Sequence, residues 1–214
     1  MRFLQKASKW LKGLSGNSIY YSHRHYYYGK ILSDFNEIGS YITLFEECSN
    51  ENYLKTKKEI CFSNSLKFGS TAKDIKKKLH KPHYHIVGKA PVNTNVFIYK
   101  LFLGKHKVRL ELHSFEDKLF LFKYTFSSLT PESKNEVIDI LQKKYLSKSA
   151  DFSNQNIVDN FNSCIHIDDS INFSISYLNL NCDFLRYIKQ ITETEKNKYF
   201  ENKILDYKEL YFSL

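Results

Sequence analysis

Hydrophobic residues between positions 66 and 82 recur with the period of an α-helix. Spacings of three and four residues place three of them on one helical face, namely Ala72, Ile75 and Leu79. Thr71 can cap the first turn, with Asp74 three residues later as in a capping box. Pro82 should prevent the helix from continuing, because proline cannot donate the backbone hydrogen bond that the next turn needs.

Three strands should follow this helix. Apolar and polar side chains alternate in the second strand, and apolar runs bounded by turn residues mark the first and the third. We place these strands at 96–103, 108–112 and 119–126, with hairpin turns around Gly104 and Asp117. An antiparallel sheet with a large apolar face needs a cover, which the flanking helices can supply.

The second half of the chain repeats this order. Thr130-Pro131-Glu132 is a strong helix start, because it combines a capping hydroxyl, a proline at the first helical position and an acidic first turn. We predict a polar loop at 147–162, strands at 164–167, 171–177 and 182–188, and a closing helix at 193–212. The expected fold is α+β, with two successive α-β-β-β units whose antiparallel sheets are covered by helices.

These patterns divide the chain into three segments. Residues 1–62 form an N-terminal extension, with a helix predicted around 31–38 and a strand around 40–46. Residues 63–128 form the first α-β-β-β unit, and residues 129–214 form the second unit with the C-terminal helix. The two units could also fold as one compact domain.

The composition is that of a globular protein, with 42% apolar and 26% charged residues. No run approaches 18 apolar residues, so no transmembrane helix is predicted, and Lys9 and Lys12 interrupt any signal-peptide core. We therefore expect a cytoplasmic protein. The cysteines are far apart and form no Cys-x-x-Cys pair, which argues against a zinc ribbon or a disulfide framework: Cys48, Cys61, Cys164 and Cys182.

The run from Leu66 to Pro82, LKFGSTAKDIKKKLHKP, resembles the opening of β-lactamase-inhibitor-like domains and of small outer-membrane assembly lipoproteins. In these families a strand, a glycine, a Ser or Thr, and a helix ending in Leu-Gly-Lys-Pro precede a three-stranded sheet with a tyrosine in its first strand. Tyr99 falls at that place, and the resemblance covers about residues 66–126. His80 replaces the usual glycine, and no lipoprotein cysteine lies near Met1, so the envelope role is not carried over. The resemblance implies a scaffold that binds proteins with an exposed sheet face and has no shared catalytic residues.

No sequence motif marks the chain as an enzyme. It contains no Gly-x-Ser-x-Gly, His-Glu-x-x-His, P-loop or Gly-x-Gly-x-x-Gly motif, although some active sites leave no local trace. We predict no cofactor. His83 and His85 could share a zinc or copper ion if residues 81–87 are extended, but the nearby sequence offers no third ligand. Exposed loop histidines are the simpler interpretation.

Positive charge is concentrated in the first half of the chain. Residues 1–107 contain 19 Lys and Arg against 7 Asp and Glu, whereas residues 108–214 contain 13 against 16. We therefore predict a non-enzymatic protein-binding module of inhibitor, immunity or adaptor type with an acidic partner, since complementary charge speeds encounter. The predicted contact residues lie on the first helix, on the segment after it and on the side of the first sheet expected to be exposed: Lys73, Lys76, Lys77, Lys81, His83, His85, Arg109, Glu111 and His113.

Nucleic-acid binding is the alternative. It would use the Lys- and Tyr-rich surface of residues 1–107, in which residues 55–81 contribute nine lysines against two acids. Near the N-terminus, phosphates could meet the charges and bases could stack on the rings of an interleaved basic and aromatic set: Arg24, Tyr26, Tyr27, Tyr28 and Lys30. The scarcity of arginine, the usual reader of bases, argues against it. Residues 2–14 could form a basic amphipathic helix that contacts a membrane surface or docks on the protein's own core.

Overall fold

In a computed structural model, which describes residues 37–146 and 155–213, four helices and eight strands are formed. The helices are α1 (Ile38–Cys48), α2 (Ala72–Leu79), α3 (Pro131–Tyr145) and α4 (Asp183–Ser213). The strands are β1 (Tyr53–Thr56), β2 (Tyr84–Val87), β3 (Thr94–Leu103), β4 (His106–Phe115), β5 (Lys118–Phe126), β6 (Asn156–Asp159), β7 (Ser163–Asp168) and β8 (Ser174–Asn179).

The eight strands form one sheet in the order β1-β6-β7-β8-β5-β4-β3-β2. Only the pairing of β1 with β6 is parallel, so the predicted α+β fold with antiparallel strands is confirmed. The two predicted units join, because β5 pairs with β8 from Leu121 opposite Leu178 to Thr125 opposite Ser174. This pairing provides hydrogen-bond partners for backbone N–H and C=O groups of β5 and β8, which would be edge strands in two separate sheets.

Helix α2 begins and ends where the sequence predicts. The hydroxyl of Thr71 accepts a hydrogen bond from the backbone N–H of Asp74 at 3.3 Å, and the Asp74 carboxylate accepts one from the backbone N–H of Thr71 at 2.9 Å. This is a complete capping box. The helix ends at Leu79, and His80 then adopts φ 61°, which turns the chain out of the helical path ahead of Pro82.

One face of the sheet packs against α2 and α3. Ile75 of α2 and Leu141 of α3 insert into it, and the Phe122 and Tyr177 rings stack at 4.4 Å where β5 meets β8. Buried side chains contributed by the strands on this face include Phe97, Tyr99, Leu110, Leu112, Phe122, Phe126, Ile165, Ile175 and Tyr177. The alternation along β4 predicts the burial of Leu110 and Leu112, whereas the apolar runs of β3 and β5 bury residues on both faces of the sheet.

Helices α1 and α4 cover part of the opposite face. Their apolar residues are spaced by three or four positions, as a helix requires: Tyr41, Phe45 and Cys48 on α1, and Phe184 and Ile188 on α4. These side chains pack with Phe120, Leu121 and Leu178 of the sheet. Both faces of the sheet therefore carry helices, although the sequence pattern clearly predicted the covering helices of only one face.

Four local predictions are wrong. The strand predicted at 40–46 is part of α1, and the strand predicted at 182–188 is the first turns of α4. In both segments the buried residues follow a helical spacing. Their packing against the second face of the sheet favours a helix over a strand. The loop predicted at 147–162 contains β6, a short strand with polar ends. The strand predicted at 171–177 begins only at Ser174, because residues 169–173 form the connection between β7 and β8, where Ile171 is 91% exposed.

Within 37–146 and 155–213, no helix combines the length and the apolar character needed to cross a bilayer. The helix predicted at 2–14 lies outside the described residues, as does most of the one predicted at 31–38.

Candidate functional site

The end of α2, the connection after it and β2 enclose a concave surface with a volume of about 670 Å³. We call it the lysine–histidine surface. It is lined by Lys76, His80, Lys81, Pro82, His83, Tyr84 and His85. Four of the predicted contact residues are in this set, and none of the seven is acidic. The surface is therefore suited to a negatively charged partner.

The connection between α2 and β2 is held against β3. The hydroxyl of Tyr99 donates to the backbone carbonyl of His80 at 3.2 Å, and the backbone N–H of His83 donates to the carbonyl of Ile98 at 2.9 Å. The imidazole Nδ1 of His83 also accepts a hydrogen bond from the backbone N–H of Lys100 at 3.2 Å. These bonds fix a segment that would otherwise be a loop, so its charged side chains are presented from a defined backbone.

Phe97 of β3 supports the floor of this surface. His85 lies opposite Phe97 in the β2–β3 register, and their rings stack at 4.4 Å with an interplanar angle of 8°. The ammonium group of Lys76 lies 5.6 Å from the centre of the same ring, a cation–π contact. Burial lowers the pKa of His85, against the hydrogen bond to Asn95, so its ring is neutral at pH 7.

The charge of this region comes from exposed lysines on α2. Lys73 and Lys77 are both exposed and lie on α2 beside Lys76. The only acid on the helix, Asp74, accepts hydrogen bonds from the backbone N–H and the hydroxyl of Thr71, which lower its pKa. Asp74 is thus engaged at the opposite end of the helix from His80. The positive potential at the C-terminal end of α2 is not cancelled locally.

Arg109, Glu111 and His113 lie on the other face of the sheet. They alternate along β4 with Leu110 and Leu112, which belong to the core under α2 and α3. They cannot form one contact surface with the residues around His83 and His85. The predicted exposure of Glu111 and His113 is also wrong, since both residues are 0% exposed. Alternation correctly put the three on one face, but it could not reveal that this face is covered as well.

These three residues belong to a buried polar chain that links the sheet to α1. Arg109 Nε donates to Glu111 Oε1 at 2.5 Å, and Glu111 Oε2 lies 3.5 Å from His113 Nε2. His113 Nδ1 is hydrogen-bonded to the Tyr41 hydroxyl at 2.9 Å, and that hydroxyl lies 3.3 Å from Thr94 Oγ1. With Tyr41, Glu111 and His113 fully buried, the chain serves to fix α1 on the sheet.

The protonation states of this chain follow from its burial. Burial opposes ionisation of Glu111, but the contact with His113 and the charge of Arg109 together lower the pKa of the carboxyl below its ordinary value. Burial lowers the pKa of His113, against the pull of Glu111. At neutral pH the chain therefore contains a carboxylate paired with a guanidinium, next to a neutral imidazole.

We expect the free energy of unfolding to decrease as the pH falls from about 7 to about 5. His85, His113 and His166 have lowered pKa values in the folded protein, chiefly through burial, so the unfolded chain binds protons first. Their contribution is present above the ordinary histidine pKa of about 6.5 and is lost below it. Urea midpoints across this range measure the effect, and a His113→Gln variant should show a shallower slope than wild type. Equal midpoints at both ends of the range would contradict the prediction.

The structure brings no third metal ligand to His83 and His85. Within 37–146 and 155–213, no group of three or more His, Cys, Asp or Glu residues is arranged to hold a metal ion. His83 accepts from Lys100, and His85 Nε2 lies 3.2 Å from Asn95 Oδ1. The shared-metal interpretation of these two histidines thus gains no support.

The lysines of 55–81 lie in the described part of the chain, but the five residues singled out for nucleic-acid binding lie outside it. These are Arg24, Tyr26, Tyr27, Tyr28 and Lys30. Comparisons with known protein families, with curated proteins and with solved structures find no match to this chain. The resemblance of residues 66–126 to β-lactamase-inhibitor-like domains therefore stays a prediction based on the quoted residues.

Proposed function

We propose that this chain is a non-enzymatic protein-binding module of inhibitor, immunity or adaptor type, which recognises an acidic protein through the lysine–histidine surface. The observation that supports it most is the convergence of Lys76, Lys81, His83 and His85 on one concave surface lined by no acidic residue. These residues are separated in sequence by a helix end and a proline. The cytoplasmic location predicted from the sequence belongs to the same proposal.

The mixed chemistry of the surface favours a protein partner. Besides lysines it offers the neutral ring of His85 and the ring of Pro82. Such groups can contact peptide backbone and side chains, whereas the lysines attract carboxylates from a distance. The binding energy would then come from the concave floor, and the charges would speed association and set specificity.

The nucleic-acid alternative has weaker support in the described residues. Arginine is the side chain best suited to phosphates and base edges. Arg109 is paired with Glu111 and Arg186 with Asp183, and neither lies on the lysine–histidine surface. Lysines alone can still bind phosphates as point charges, so the experiment includes nucleic acid as an outcome.

Charge reversal on the surface tests the proposal. A tagged chain is used to isolate its partner from the native host, and the purified partner is titrated against three proteins. We expect the Lys76→Glu and Lys81→Glu double variant to bind roughly tenfold or more weakly than wild type, a change of about 1.4 kcal/mol or more. The Lys57→Glu and Lys58→Glu double variant, which has the same net charge in an exposed connection, should bind within about twofold of wild type.

Two results would contradict the proposal. Equal weakening in the two double variants would mean that only total charge matters and that the concave surface is not the site. Loss of the captured complex after nuclease treatment, together with tight binding of purified DNA or RNA, would favour the nucleic-acid alternative. A partner that is retained after nuclease treatment and released by the surface variant alone would support the proposal.

A further inference from the structure

A second pocket lies where the C-terminal end of α1 is close to the start of β6 and the end of β7. Its volume is about 480 Å³, within the range of about 300–1,000 Å³ that is usual for small-molecule sites. Its polar lining combines Glu47, Asp169 and His166 with four side-chain amides: Asn50, Asn52, Gln155 and Asn156. We call it the amide pocket. It shares no residue with the lysine–histidine surface.

Hydrogen bonds fix the orientation of the groups at the back of this pocket. The Nδ2 group of Asn156 donates to the backbone carbonyl of Glu47 at 2.6 Å, so its Oδ1 is the atom that faces His166. That oxygen lies 2.9 Å from His166 Nδ1. Because an amide oxygen can only accept, Nδ1 must carry the proton. Nε2 of a neutral His166 is then an acceptor.

A second acceptor faces this nitrogen. Glu47 Oε2 lies 3.3 Å from His166 Nε2. Burial lowers the pKa of His166, although the charges of Glu47 and Asp168 oppose this, and the nearby Lys123 adds to it. With a neutral ring, two acceptors confront each other with no proton between them. A ligand with adjacent hydroxyl groups would supply donors to both.

The rest of the lining fits the same chemistry. Gln155 Nε2 donates to Asn52 Oδ1 at 2.7 Å, which fixes two amides whose other groups can donate to and accept from hydroxyls. No lysine or arginine is among the lining residues, and the lining carboxylates are that of Glu47 and that of Asp169, which is paired with Lys134 at 2.5 Å, so an anionic ligand gains no favourable charge from them. Ile138, Ile167 and Phe173 complete the lining at this edge of the sheet, but they lie on its α3 face, whereas Glu47, Asn156 and His166 lie on its α1 face.

We propose that the amide pocket binds a neutral, hydroxyl-rich ring, a pyranose sugar unit, with neighbouring hydroxyls donating to Glu47 and His166. The site goes beyond the proposed protein-binding function and does not depend on it. Sugar binding requires the hydroxyls to act as donors at the acceptor pair and as acceptors at the amides. Both kinds of group are present at fixed positions.

Titration of the full chain with glucose, galactose, mannose and N-acetylglucosamine tests this proposal. Ligand-observed NMR detects binding, and calorimetry measures affinity. We expect at least one of the four sugars to bind saturably at about pH 7, and Glu47→Gln to weaken its binding roughly tenfold or more, because one carboxylate acceptor is replaced by an amide. Glu46→Gln is the matched control, with the same charge change at the next position of α1 and outside the pocket, and it should leave affinity within about twofold.

The pH dependence separates this binding mode from a nonspecific one. His166 is faced by Glu47 of α1, Asn156 of β6, Asp168 of β7, Lys123 of β5 and Ser176 of β8. Once protonated, its Nε2 donates to Glu47 and both acceptors are lost to the sugar, so affinity should fall between about pH 7 and about pH 5. A His166→Gln variant should not show this fall. Failure of all four sugars to bind, equal weakening in Glu46→Gln, or the same pH dependence in His166→Gln would overturn the proposal.

Discussion

Replacing Glu111 with alanine is expected to lower the free energy of unfolding by about 3–5 kcal/mol. The Glu111 side chain is fully buried, and its carboxylate bonds to Arg109, whose side chain is 23% exposed. Removing the carboxylate takes away the counter-charge of a largely buried guanidinium and leaves a void beside His113. The loss should also loosen α1, because Tyr41 is connected to Glu111 through His113.

Urea unfolding measured by circular dichroism gives this change in stability. Glu136→Ala is the matched control: Glu136 forms an ion pair with Lys105 at 3.2 Å, but both side chains are more than half exposed. Such a surface pair contributes at most about 1 kcal/mol. If the two variants lost similar, small amounts of stability, Glu111 would not be buried and the second face of the sheet would be uncovered around β4.

Replacing Phe184 with alanine should have an effect of the same size, about 3–5 kcal/mol. Phe184 is 1% exposed, and its ring lies 4.5 Å from that of Phe120 and 4.8 Å from that of Tyr41. Phe184 therefore links α4 to the sheet and to α1. Truncation would leave a cavity among aromatic rings that cannot easily close.

The control for this substitution is Phe161→Ala, which removes the same atoms from a side chain that is 68% exposed. We expect it to change stability by no more than about 0.5 kcal/mol. The pair of variants also tests the conformation of residues 183–188. If Phe184 packing holds α4 on the sheet, the helical circular dichroism signal of the Phe184→Ala variant should be lost at a lower temperature than that of wild type. A loss of stability as small as that of Phe161→Ala would contradict the packing of α1 and α4 on this face.

Local signals in the sequence were sufficient for α2 and for β3, β4 and β5. Thr71 and Asp74 define the start of a helix within four residues, and tight turns at Gly104 and Asp117 define the hairpins. By contrast, the short β6 depends on partners far away in sequence. Its backbone is paired with β1 and β7, and Asp159 also accepts a hydrogen bond from the backbone N–H of Ile60 at 2.7 Å. Two β-branched residues between polar ends are too short a run to indicate a strand on their own.

The candidate sites divide in the same way. The proximity of Lys76, Lys81, His83 and His85 could be predicted because these residues follow one another through a helix end, so that a local turn brings them together. The burial of Glu111 could not, since it depends on α1 arriving from another part of the chain. The amide pocket was missed for the same reason. Three of its residues belong to different elements, of which α1 is distant in sequence from β6 and β7: Glu47, Asn156 and His166. Single Asn and Gln residues are common in turns, so neither their type nor their spacing indicates a binding site.

Hydrogen–deuterium exchange of the chain with and without its purified partner tests the proposed binding surface most directly. The proposal predicts that the largest slowing of exchange falls within residues 73–87, at the end of α2 and along β2, and that it disappears for the Lys76→Glu and Lys81→Glu double variant. Protection confined to α1 and α4, with residues 73–87 unchanged, would contradict it.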